Sequence, residues 1–508
     1  MIKLIVYICL LLKLFASANP LSNSSTLQKS QSAMPTQKKV IVIGAGAAGI
    51  AAATRLIENG IKDVLIIEAE DRIGGRIYTL DIPGDEGVLE IGAQWIHGEK
   101  NNVVFELASK KKLIGRFDQV FENMLFVQSS SQVIDPEVHN KMTKLFYSIK
   151  TNPDENVLEY KTSGNYYLTK INESLQHGNY SISEDLKSQF IEWFHQQINS
   201  VDASDTWFQS SASTMIEYWE CEGFPSIAWT PNGYRQLFTA LSEKADSILG
   251  KNFLENYIKK NTEVVKITPD GKGVRIKCDN NEEYVADHVI VTVSLGVLKA
   301  NYKKLFPENL LPDKQQKAIQ HLLFGNVAKL YLKFPHRWWP ENITDISLLW
   351  NETDKSDYER RGLKWVTDVF AFMVSYNHNS TLCGWISGQS ARDMEAIDEN
   401  FVKNELMQVL RKFLGNKYTI PEPDWFYRST WKSNSHFNGT YSLRGPITDS
   451  MNVSAADLSV PVVNKDNVPV ILFAGEATHP HYYSTVHGAV ETGWREADRI
   501  ISLKKAVN

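Results

Sequence analysis

The stretch KKVIVIGAGAAGIAAATRLIENGIKDVLIIEAEDRIGGR, Lys38 to Arg76, constrains this chain more than any other. Val40 to Ile43 is a continuous apolar run, the mark of a strand covered on both faces. Gly44, Gly46 and Gly49 follow as G-x-G-x-x-G and open an Ala-rich helix from Ala47 to about Asn59. A second apolar run, Val64 to Ile67, ends in Glu68, nineteen residues after Gly49. Each piece has a physical task. Gly44 permits a tight turn, Gly46 lets backbone approach a pyrophosphate, and Gly49 lets the helix pack closely on the strand. The helix N-terminus offers N–H groups and the positive end of its dipole to the phosphates. Glu68 is placed to accept both ribose hydroxyls. Glycines alone punctuate ordinary turns; strand, glycines, helix, strand and acid in this order make a dinucleotide site. Neither Arg55 nor Arg72 stands just after the acidic position, where a 2′-phosphate would need a clamp. An adenine dinucleotide without that phosphate is favoured, which leaves NAD and FAD.

At 508 residues the chain needs two or three cores. Its 43% hydrophobic and 22% charged residues are those of an ordinary soluble protein. A net charge of −5 without a basic stripe gives no footprint for nucleic acid, and Lys110 to Lys112 reads as a helix surface. The mild acidity suits a cationic substrate. MIKLIVYICLLLKLFASA combines Lys3, a short apolar run and Ala16-Ser17-Ala18, so residues 1–18 are expected to be a signal peptide and 19–37 a disordered linker. No other segment is long and apolar enough to cross a bilayer, so no stable membrane insertion is expected. Asn23, Asn172, Asn179, Asn342, Asn351, Asn379, Asn438 and Asn452 each begin N-x-S/T, candidate glycan sites of a secreted protein. Cys221, Cys278 and Cys383 allow at most one disulfide and have no zinc spacing.

DRIGGR, Asp71 to Arg76, resembles the second fingerprint of the flavin amine oxidase family, which decides for FAD. Gly74-Gly75 makes a turn that can approach a cofactor, and Arg76 adds a cation for the diphosphate. The C-terminal VPVILFAGEATHPHYYSTVHGAVETGWREADRI is similar to the family's last strand, glycine-acid turn and helix. The resemblance implies that Glu476 bonds the ribityl and phosphate region, that Thr485 and Val486 meet the flavin's pyrimidine side, and that Val264 in NTEVVKI contacts adenine. Within the family the chain looks most like animal polyamine oxidases. LEIGAQWIHG, Leu89 to Gly98, places His97 on their active-site histidine, and TWKSNSHFNGTYS places Tyr441 on an aromatic pocket wall.

FGNVAKLYLKF, Phe324 to Phe334, gives two readings of one lysine. By alternation Ala328, Leu330, Leu332 and Phe334 face one way and Val327, Lys329, Tyr331 and Lys333 the other, which makes both lysines wet. The resemblance instead puts Lys329 over the flavin, holding a water to its N5, and leaves Lys333 an ordinary surface residue. Two departures stand out: Asn434 occupies a position that is acidic in many relatives, and the Asn438 sequon lies three residues from Tyr441. Glu220 and Glu222 are candidates to line the entrance for a cationic amine, against a reading as plain solvated charge. Residues 128–200 carry no motif, and their Tyr/Asn/Ser-rich composition predicts irregular surface or short helices.

The expected fold is therefore α/β. A Rossmann-like FAD domain of glutathione-reductase type (38–98, 223–305 and 462–508) is interleaved with a substrate domain on a mixed sheet with helices (99–222 and 306–461). The expected activity is oxidation of a secondary amine of spermine or an acetylated polyamine by O2, with non-covalent FAD. It yields an aldehyde, a shorter amine and H2O2 in an extracellular or secretory compartment; KKAVN is neither a peroxisomal nor an ER-retention ending. Rivals are read on residues. No cysteine follows Cys383 to tether a flavin as in a monoamine oxidase, a histone demethylase needs further domains, and no arginine lies between Gly92 and Gly115 for an amino-acid carboxylate. A secreted flavoprotein without turnover is the alternative of another class.

Overall fold

The computed structural model describes residues 35–116, 123–178, 180 and 182–507. The expected signal peptide, most of the linker, and the sequons at Asn23 and Asn179 lie outside the described residues.

Val40 to Ile43 forms the end of strand Thr36–Ile43, near the middle of an eight-stranded sheet. The strand starts two residues before the expected domain start at Lys38, because Thr36 and Gln37 already pair with Tyr284 and Val285. Val64–Ile67 lies parallel on one side and Glu283–Val291 on the other, with Pro469–Phe473 beyond. Hairpin strands Val264–Asp270 and Gly273–Cys278 extend antiparallel from Glu283–Val291. The apolar run is covered on both faces. Val40 and Val42 pack with the Ala-rich helix Ala47–Glu58 and the last helix, Val486–Val507, while Ile41 and Ile43 pack with Ile267, Val289 and Leu295.

The second sheet is mixed. Its order is Trp425–Arg428, Val327–Lys333, Thr381–Ser387, Ala371–Val374, Asp345–Leu349, Met124–Gln128, antiparallel except for the last pair. Ala328, Leu330, Leu332 and Phe334 face a core closed by helix Glu399–Leu414. The opposite face is also covered, since Tyr331 packs with Leu89 and Ile91 from the hairpin Thr79–Asp81/Val88–Glu90. Strict alternation therefore marks two different dry environments here, and not one dry and one wet face.

Two expectations need correction. Residues 128–200 form three full-length helices, Pro136–Thr151, Ser163–His177 and Glu184–Asp202, capped by Asp135, Thr162 and Ser183. Their apolar stripes, such as Met142, Phe146 and Ile149 or Phe190, Trp193 and Phe194, meet in one cluster. Polar composition hid that 3–4 spacing. Further, helix Val103–Lys110 packs through Val104 and Ala108 into the core of the first sheet, so the boundary drawn after residue 98 cuts through that core.

Candidate active site

A cavity of about 1090 Å³ runs from the G-x-G-x-x-G turn to the strand carrying Lys329, and both sheets line it. At its first end Gly44 has φ +103°, open to glycine and strained for other residues, and a Cβ on Gly49 would come 2.0 Å from the Gly44 carbonyl. Gly46 is bounded more loosely and faces the cavity with Gly74 and Gly75. Glu68 ends its strand buried, its carboxylate oxygens accepting from Ala45 N (2.6 Å) and Glu70 N (2.9 Å). One lone pair on each oxygen stays open for a hydroxyl. Burial raises its pKa against the pull of those two amides. Val264 and Thr262 line the same end.

Midway, Arg76 donates to Glu476 Oε1 (2.8 Å) and to the Thr440 carbonyl (2.6 Å). The other oxygen of Glu476 accepts from Ser442 Oγ (2.6 Å) and Ser484 N (2.8 Å). Glu476 is thus a buried junction of three segments, and the Arg76 cation faces the cavity already paired. Thr485 caps helix Val486–Val507 by accepting from Gly488 N (3.0 Å), and Thr485 and Val486 bring the helix N-terminus to the cavity wall.

At the far end Lys329 is 5% exposed. Its ammonium donates to the carbonyls of Glu90 (2.8 Å) and Gly92 (2.9 Å) and to Gln94 Oε1 (2.8 Å), and lies 4.8 Å from the ring centre of Trp385, its partner across the strand pair. Burial lowers its pKa to about 8, partly offset by Cys383 and Glu90. Burial raises the Glu90 carboxyl to about 7, although Tyr234 N and Thr79 Oγ1 donate to it. Lys333 is not the surface residue expected: its side chain is 13% exposed and paired with Asp85 (3.2 Å) and Asp424 (3.4 Å), away from the cavity.

His97 Nδ1 bonds the Pro225 carbonyl (2.9 Å), so that nitrogen carries the proton and Nε2 is the free basic position. The ring is accessible through the cavity yet deep within the protein, and that burial lowers its pKa. Tyr441 lines the wall and donates to the Ser200 carbonyl (2.7 Å). Glu220 lines the cavity; Glu222 does not, and pairs with Lys100 on the surface. Asn434 ties its loop to Glu70 Oε1 (2.8 Å), filling the departure with a neutral contact. Sequence reasoning missed Lys150, Asp202, Tyr167, Trp385 and Tyr483, which line the far end. Tyr483 stands in the C-terminal stretch quoted above but was not singled out, and the other four stand in no motif; Glu90, also missed, had a readable signal as an acid inside the apolar run of Leu89 and Ile91. Among the described residues no group of three His, Cys, Asp or Glu is arranged to hold a metal, and the three described cysteines are free.

A glycine cradle with an open acidic acceptor, continuous with a deep chamber around a buried lysine, defines a flavoprotein oxidoreductase, and the open lone pairs of Glu68 and the helix N-terminus at Val486 fit FAD. The sequence matches the family described as flavin containing amine oxidoreductase over residues 47–501, and the chain belongs to that family. It is 30% identical over 493 residues to the bovine peroxisomal N(1)-acetyl-spermine/spermidine oxidase, covering 92% of this chain and 95% of that one. The human enzyme of the same name is 29% identical, covering 92% and 96%. A human lysine-specific histone demethylase 2 is 28% identical, but only 54% of its length is covered. Among solved structures, a putrescine oxidase with bound putrescine has a TM-score of 0.62 at 21% identity, over 92% of this chain and all of that one. The protein is an FAD-dependent amine oxidase.

Proposed function

We propose that the substrate is a polyamine, oxidised at a secondary amine by O2 to an aldehyde, a shorter amine and H2O2. The observation that carries this reading is the continuity of the cavity: the dinucleotide cradle opens into a chamber with carboxylates at Asp202 and Glu220 and aromatic walls at Tyr167, Trp385 and Tyr441. Such a chamber suits a long, flexible cation. The names of the bovine and human relatives support the same substrate class.

FAD, when bound, supplies the acceptor for the hydride lost from the carbon beside nitrogen. The protein's own groups prepare that loss. The amine must present a free lone pair, and His97 Nε2, kept neutral by burial, is the base able to hold its proton. Lys329, with a pKa of about 8, can exchange a proton at the cavity wall. Tyr441 and Trp385 exclude water from the alkyl chain and give it a π surface. The resulting imine then adds water and separates into aldehyde and amine. Arg76 and Glu476, paired with each other, hold the middle of the cavity without adding net charge.

The leader-like N-terminus, together with exposed sequons at Asn172, Asn342, Asn379 and Asn452, supports a secreted enzyme. N-terminal sequencing and glycosidase treatment of the native protein test this; an uncleaved, unglycosylated chain overturns it. For the activity, the holoenzyme is assayed for peroxide with spermine, spermidine, N1-acetylspermine, putrescine and a set of amino acids. Turnover confined to amino acids or monoamines refutes the polyamine reading.

A further inference from the structure

Lys150 is a cation of the far chamber that the reaction above does not use; Arg444, which lines the same cavity, is already paired with Glu217. Lys150 stands next to last in helix Pro136–Thr151 and lines the cavity with Asp202, the last residue of helix Glu184–Asp202, and Glu220 from the loop after Thr214–Glu217. Three separate elements thus bring one ammonium and two carboxylates to one chamber. Among the described residues the ammonium meets the two carboxylates only through space, with no ion pair or hydrogen bond between them, and the Tyr147 ring centre lies 6.0 Å from it. Burial lowers the pKa of Lys150, and it raises that of Asp202 against the pull of a Ser210 hydrogen bond and the Lys150 charge.

A free terminal ammonium would be welcomed by the carboxylates and opposed by Lys150. A secondary amide fits all of them, since its carbonyl accepts from the ammonium and its N–H donates to a carboxylate. We propose that Lys150, with Asp202 and Glu220, recognises the amide of an N-acylated polyamine and is the residue that sets preference for it over the free amine. This rests on the polyamine reading above and names the form of substrate within it.

The test measures kcat/KM of the holoenzyme for N1-acetylspermine and for spermine, in the parent and in Lys150→Met and Lys150→Arg, with bound flavin absorbance confirming each fold. The parent is expected to favour the acetylated substrate by tenfold or more. Lys150→Met should lose at least tenfold on it, mainly through KM, while spermine is unchanged or improves; Lys150→Arg, which keeps charge and donors, should retain the preference. A parent that prefers spermine overturns the proposal without any variant, as does a Lys150→Met enzyme with the parent's substrate ratio. A parent that oxidises neither compound overturns the polyamine reading, and this inference with it.

Discussion

A lysine ammonium has three protons to donate, and at Lys329 all three are engaged by Glu90, Gly92 and Gln94. Replacement by Met keeps the length of the side chain but leaves those acceptors to water from the cavity. A stability loss on the order of 1–3 kcal/mol follows, with FAD still bound and flavin reduction or reoxidation slowed by orders of magnitude. Lys333→Met loses two partly exposed ion pairs, about 1 kcal/mol, and turnover should stay within twofold. Rapid-mixing kinetics on both variants checks this, and equal behaviour of the two would remove Lys329 from the chemistry. The same neighbourhood sets a pH dependence. Glu90 keeps its proton to about pH 7 in the fold but loses it near 4.5 when unfolded, so between those values the folded state binds more protons and stability falls as pH rises. Lys329 acts in the opposite sense higher up: between about pH 8 and 10.5 the unfolded chain holds the extra proton, and stability recovers. Glu90→Gln, a permanent neutral mimic, should therefore gain on the parent from pH 5 to pH 7 by roughly 1–3 kcal/mol. Thermal melts across that range measure it, and parallel curves would contradict the burial argument. Alternation read Lys329 as wet because period 2 reports which residues share a face and not what covers the face; only the family resemblance placed it in a cavity.

At the scale of elements, the turn between Thr36–Ile43 and Ala47–Glu58 separates two requirements that the motif merges. A methyl on Gly49 would overlap the Gly44 carbonyl, so Gly49→Ala should break the strand–helix contact, lowering stability by several kcal/mol and giving little soluble protein. A methyl on Gly46 meets only the Gly74 carbonyl at 3.9 Å, so Gly46→Ala should fold but intrude where a pyrophosphate must approach. The expected outcome is an apoprotein melting within a few degrees of the parent's with flavin content strongly reduced; full flavin content in Gly46→Ala would show that the phosphates do not rest there. These elements were legible because each residue type answers to one steric demand. The helices of residues 136–202 were not, since Tyr, Asn and Ser dilute stripes that are apolar at Met142, Phe146 and Ile149 and at Phe190, Trp193 and Phe194. Lys150 and Asp202, charges of the far chamber, sit at the ends of those helices and went unseen with them.

For the whole molecule, the cavity is shared by the two sheets: Glu68, Val264 and Glu476 come from segments of the first, Lys329, Trp385 and Phe370 from the second or its flank. The interleaving could be drawn from motif order, but not the helix Val103–Lys110 crossing into the first core, because its apolar face gives no sign of which sheet it meets. A ligand spanning such a cavity stabilises the folded state by mass action, about 2.7 kcal/mol at a hundredfold excess over Kd. The stabilisation should reach both sheets, because opening either one releases the ligand. Hydrogen exchange on holo- and apoprotein should then show protection gained at strand Val264–Asp270 and at strand Val327–Lys333 together, with a single thermal transition moving up on FAD binding. Protection confined to the first sheet, or two transitions of which only one moves, would mean that the cofactor is held by the dinucleotide cradle alone and that the chamber around Lys329 forms independently of it.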